Sequence, residues 1–100
     1  MNFEVVDETI NKYGVRCYVG GCVSRGENSS FRRRAHAHVS KLDEFKGWFC
    51  IRSKKRVYTR SSNKPSKLVW HEVAHLLVGE TNWHNKTWNR KRLELLRENR

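Results

Sequence analysis

The stretch that decides the reading is Ser66-Lys67-Leu68-Val69-Trp70-His71-Glu72-Val73-Ala74-His75-Leu76-Leu77-Val78-Gly79. Leu68, Val69, Val73, Leu76 and Leu77 recur at three- and four-residue spacing, the period of one buried helical face. Pro65 is tolerated in a first turn, Ser66 or Asn63 can cap it, and Gly79 supplies a stop. The spacing therefore predicts a helix of about 13 residues, from near Ser66 to Val78. Inside it lies His71-Glu72-Val73-Ala74-His75, an H-E-x-x-H pattern. Side chains four apart stand one turn above each other, so His71 and His75 can face a single metal ion with Glu72 beside them. Two imidazoles suit Zn²⁺, and the glutamate is placed to act as general base toward a water whose pKa the metal lowers. With 5 His in 100 residues, the composition gives about 0.02 chance matches to this pattern.

A hydrolytic zinc needs a third protein ligand and an open fourth position. Beyond Gly79 the chain passes Glu80, Thr81, Asn82 and Trp83 to His84. A short return loop over 80–84 brings His84 back beneath the helix, which makes it the expected third ligand. Glu80 competes, since two His and one Glu is also a zinc set, but it lies too close to the helix end to reach the metal without distortion. Trp88, Leu95 and Leu96 then mark one face of a final basic helix.

Upstream the period changes. Glu8 to Tyr13 reads as a short helix ended by Gly14, and Val15 to Val19 as a strand closed by the Gly20-Gly21 turn. Arg25 to Ser30 is a loop, Arg33 to Val39 a second strand, and Lys41 to Lys46 a charged turn broken by Gly47. Trp48 to Ile51 is a third strand, and Arg56 to Thr59 adds a short fourth. Strands first and helices after predict an α+β fold: a small antiparallel sheet of three to four strands packed on the H-E-x-x-H helix and a C-terminal helix, one domain over 1–100.

The chain carries 21 Lys+Arg against 10 Asp+Glu, a net charge of +11. A hydrophobic content of 37% with four Trp argues against a disordered basic tail. No apolar run approaches the roughly 20 residues needed to span a bilayer. The opening residues carry acids where a signal peptide needs a basic region, so a cytoplasmic protein is expected. Three cysteines, an odd number, fit reduced thiols better than a disulfide framework. Cys17 and Cys22 form a C-x4-C pair at the Gly20-Gly21 turn, but no second Cys/His pair at finger-like spacing completes a zinc site. Structural thiols are the expected reading for Cys17, Cys22 and Cys50.

The charge exceeds the range of about 2 to 8 that suffices for solubility in a small domain, which points to an anionic partner. Basic residues cluster at Arg32-Arg33-Arg34, at Arg52, Lys54, Lys55, Arg56 and Arg60, and at Lys86, Arg90, Lys91, Arg92, Arg97 and Arg100. Phe31, Trp48, Tyr58, Trp83 and Trp88 are interleaved among them, so phosphate contacts and base stacking are both available. His36 and His38 project from one face of their strand; they could bind metal, but the strand's expected role is to receive a substrate as an added strand. Tyr58, Arg60 and His38 are the candidates for contacting a substrate or its oxyanion.

H-E-x-x-H on a helix, a short connection, and then His84 with Trp88 opening a second helix, all preceded by a small sheet, resembles the SprT-like zinc metallopeptidases, the Spartan-related group, in a minimal form. The resemblance runs from about Ala35 to the C-terminus and rests on His71, Glu72, His75, His84 and Trp88. It implies a zincin-like fold, Zn²⁺ held by His71, His75 and His84, Glu72 as catalytic residue, and Trp88 as a structural aromatic. The implied activity is cleavage of DNA-associated proteins. The alternative from another class is a non-enzymatic nucleic-acid-binding domain whose structural zinc is closed by Glu80 or a cysteine.

Overall fold

A computed structural model describes residues 2–24 and 34–100. Asp7 opens the first helix, α1 (Glu8–Asn11), by accepting a hydrogen bond from the Thr9 N–H, and the chain leaves it through Gly14 at φ +77°. The strands are β1 (Phe3–Val5), β2 (Arg16–Val19), β3 (Ala35–Ala37) and β4 (Trp48–Ile51). Two long helices follow, α2 (Lys67–Val78) and α3 (Lys86–Glu98). The α+β class and the order of strands before helices are as expected.

The sheet order is β1-β2-β4-β3, with β2 and β4 parallel and the other pairs antiparallel. The expected all-antiparallel sheet is therefore corrected to a mixed one. β3 and β4 form a hairpin through 38–47, and its second strand docks beside β2 in the same direction. The fourth strand is also not where the sequence placed it. Lys54–Arg56 is a 3₁₀ turn, and Tyr58 makes only an isolated bridge to Pro65. This segment folds back on the chain just ahead of α2, with Ser66 N–H donating to Val57 O at 2.8 Å and Thr59 N–H to Lys64 O at 2.8 Å. The true fourth strand is β1. The expected second strand shortens to β3; Arg33 lies outside the described residues, as do the loop over Arg25 to Ser30, Phe31 and Arg32.

Alternation along the strands sorts the sheet into two faces. Cys17, Val19, Ala35, Phe49 and Ile51 turn inward and join Val69, Trp70, Val73 and Ala74 of α2 and Trp88 and Leu95 of α3 in one buried core. α2 lies against β3 and β4, and α3 packs on α2. The same register places Tyr18 and His36 beside Cys50, and Arg16 beside Trp48, on the face away from the helices. Rings cover part of that face: Trp48 meets Tyr18 and Phe45, and the Arg16 guanidinium lies 4.1 Å over the Trp48 ring while chelating Glu4. The radius of gyration, 12.8 Å, matches the roughly 13 Å of a folded domain of this length. Among the described residues no helix is long and apolar enough to cross a membrane.

Candidate metal centres

α2 begins after Ser66 and ends at Gly79, whose φ of +84° favours glycine. His71 and His75 stand one turn apart on this helix. Asn85 caps α3 by accepting from the Trp88 N–H at 3.1 Å, which fixes the residue just before it. That residue is His84, held at φ +50°. A left-handed backbone costs a non-glycine residue roughly 1–2 kcal/mol, and here it goes with an imidazole directed at α2. His84 Nε2 lies 3.3 Å from His71 Nε2 and 3.1 Å from His75 Nε2. Two nitrogens bound to a tetrahedral zinc at about 2.0–2.1 Å stand about 3.3–3.4 Å apart. His84 is thus spaced from both partners about as a shared tetrahedral ion requires, and ligand atoms of all three rings lie within 4.8 Å of one another, so the residues fit the metal that the sequence pattern implies.

Glu72 is buried at 5% exposure, and its Oε1 sits 3.8 Å from His71 Nε2. Burial, with His84 and Arg92 nearby, holds His71 below the ordinary imidazole value. The same surroundings favour its neutral form. Two indoles wall the cluster. Trp83 stacks on His75 and His84 with ring centroids 4.5 and 4.8 Å apart, and Trp88 meets all three rings at 4.5 to 5.1 Å. The Trp88 Nε1–H also donates to the His71 carbonyl at 3.3 Å, tying α3 to the ligand-bearing turn. His84 remains solvent-exposed and His71 half-exposed, so the cluster opens to solvent on one side.

A second group lies on the sheet face opposite α2 and α3. Cys22, His36, His38 and Cys50 offer ligand atoms that all lie within 4.8 Å of one another. Sequence reasoning weighed Cys22 with Cys17, and His36 with His38, but did not join Cys22 to the histidines or bring in Cys50. Register does both: His36 faces Cys50 across the β3–β4 pair, and the turn after β2 lowers Cys22 onto them. Cys17 points the other way, into the core, where burial pushes its thiol up to about 12. The available signal was the alternation of His36, His38, Trp48 and Cys50 on neighbouring strands, which becomes decisive only once the strands are paired.

The remaining candidates disperse. His38 belongs to the second group, with His71, His75 and His84 forming a separate one. Tyr58 donates its hydroxyl to Asp7 Oδ2 at 2.7 Å, Arg60 is exposed in the turn beyond it, and Glu80 is exposed outside the histidine trio. Of the basic clusters, Arg34, Lys55, Arg56 and Lys67 converge on a groove beside Tyr58 and Ser66. In α3, Lys91 pairs with Glu94, and Arg92 bonds Asn89 while its guanidinium lies 5.4 Å over Trp88. No protein-family model, curated protein or solved structure matches this chain.

Proposed function

We propose that the protein is a zinc-dependent peptidase of the SprT-like, zincin type, acting on DNA-associated proteins. The observation that carries this reading is the convergence of His71, His75 and His84, with His84 Nε2 3.3 and 3.1 Å from the other two and all three within 4.8 Å, and with the buried Glu72 carboxylate 3.8 Å from the His71 nitrogen. Three protein ligands with an open side are the donor set of a hydrolytic zinc, whereas structural sites close with four. Among the described residues the trio forms a group of three, which favours the enzyme over a structural-zinc binding module. A zinc ion held there supplies Lewis acidity, lowering the pKa of a water and polarising a peptide carbonyl.

The chain's own residues supply the rest. Glu72 takes the proton of the attacking water at Oε1 and returns it to the departing amine. Burial, with His84 and Arg92 nearby, disfavours protonation of His71. Trp83 and Trp88 exclude water from the flanks of the trio, which strengthens the electrostatics within it.

A substrate strand has a place to dock. β3 is an edge strand packed on α2. Hydrogen bonds from Arg52 N–H to Arg34 O and from His38 N–H to Trp48 O set the phase of its ladder with β4. Alternation then turns the backbone groups of Ala35 and Ala37 to the outer edge, where small side chains leave room for an added strand. Arg34, Lys55, Arg56 and Lys67 give the phosphate-binding surface that keeps the enzyme on DNA. The test is digestion of a histone by the zinc-loaded chain with and without DNA, against chelator-stripped protein. Cleavage that requires the metal supports the reading, and equal cleavage after stripping defeats it.

A further inference from the structure

The Cys22–His36–His38–Cys50 group has the donor chemistry and spacing of a closed metal site. A nitrogen and a sulfur on a tetrahedral zinc, at about 2.0–2.1 and 2.3 Å, stand about 3.6 Å apart, and two nitrogens about 3.3–3.4 Å apart. Cys22 Sγ and Cys50 Sγ lie 3.6 and 3.5 Å from His38 Nε2, and His36 Nε2 lies 3.2 Å from both Cys22 Sγ and His38 Nε2. Four of the six spacings are thus near those of one tetrahedral ion, and all four ligand atoms lie within 4.8 Å of one another.

An independent observation points the same way. His38 Nδ1 is bonded to Asp43 Oδ2 at 2.7 Å, an arrangement that fixes the tautomer and leaves Nε2 to face a metal. Asp43 Oδ1 in turn accepts from the Phe45 N–H at 2.8 Å. Two thiolates and two neutral imidazoles around a divalent ion sum to zero charge, which suits ligands as buried as Cys22, His38 and Cys50. Sulfur and imidazole donors select a borderline-soft ion over magnesium or calcium, which need oxygen.

We propose that Cys22, His36, His38 and Cys50 bind a second, structural Zn²⁺ with all four positions filled by protein, Asp43 acting as the positioning residue for His38. The site joins the turn after β2 to β3 and β4 on the sheet face that no helix covers among the described residues. A domain of this size buries too little apolar surface to make a second core there, and a metal staple substitutes for it. Because the ligands come together only in the fold, metal affinity at this site is folding free energy. The site is independent of the histidine trio.

The experiment uses the full chain under reducing conditions. Zinc analysis is expected to give about two ions per wild-type chain and about one in a His71→Ala/His84→Ala variant. Loaded with cobalt, that variant is expected to show a thiolate-to-metal charge-transfer band, which an all-imidazole site cannot produce. Asp43→Asn in the same background should weaken the metal by about 10- to 100-fold without removing a ligand. Loss of all metal from the folded His71→Ala/His84→Ala variant, or cobalt loading without the thiolate band, would overturn the proposal. Unchanged affinity in Asp43→Asn would remove Asp43 from it. A failure of the peptidase reading would lower only the wild-type zinc count and leaves the readouts of the His71→Ala/His84→Ala variant unaffected.

Discussion

Trp88→Phe probes how α3 supports the histidine trio. Trp88 is 8% exposed, donates to the His71 carbonyl and contacts the rings of His71, His75 and His84. At 3.3 Å that hydrogen bond is longer than the usual 2.7–3.2 Å, so it sits at the low end of the range, about 0.5 kcal/mol. Replacing an indole by a phenyl ring leaves part of a buried pocket unfilled and adds about 1–2 kcal/mol of lost burial and cavity cost. The sum, about 2 kcal/mol, corresponds to a fall in Tm of roughly 8–16 °C for a chain of this length. It is measured by thermal circular dichroism with wild type and variant at the same zinc concentration. Zinc titration into the same variant should also show an affinity loss of about tenfold, since the ring and its bond orient the His71 turn. A Tm within about 2 °C of wild type, or an unchanged zinc affinity at the trio, would refute the argument that α3 holds the ligands in place.

Tyr58→Phe separates a structural hydroxyl from an oxyanion donor: with that hydroxyl committed to Asp7, kcat should be unchanged and stability should fall by about 1 kcal/mol in a denaturant titration. Burial raises Cys17 to about 12, so the folded chain holds this proton more tightly than the unfolded one. Stability from this group is complete below the ordinary thiol value of about 9 and is lost as pH rises from there toward 12. The denaturant midpoint should fall across that window, and Cys17→Ala should flatten the fall. Affinity for duplex DNA should drop steeply with salt, and replacing Lys55 and Arg56 by Ala should lower the log–log slope by roughly 2 if each neutralises a phosphate, as read by fluorescence anisotropy.

Helix α2 and its metal pattern were legible because a helix is written locally: the apolar period, the stop at Gly79 and the four-residue step from His71 to His75 all lie within one segment. His84 was reachable by the same logic, since only a short loop separates it from that helix, although the left-handed backbone that aims it is a property of the folded chain. β1 escaped notice because three residues are too few to show alternation, and Glu4 finds its partner only across the sheet in Arg16. The parallel pairing of β2 with β4 joins segments far apart in sequence, so neither announces the other. Cys22, His36, His38 and Cys50 stayed scattered for the same reason. The step from β3 to β4 decides whether His36 meets Cys50, and pairing register is a tertiary fact.

The central claim is that His71, His75 and His84 hold zinc while Glu72 moves the proton. Glu72→Gln, zinc-loaded and assayed for histone cleavage alongside zinc stoichiometry, tests it most directly. Wild-type zinc content and fold are expected, with cleavage reduced by at least about 10²-fold. Cleavage at the wild-type rate in a zinc-replete Glu72→Gln chain would contradict it.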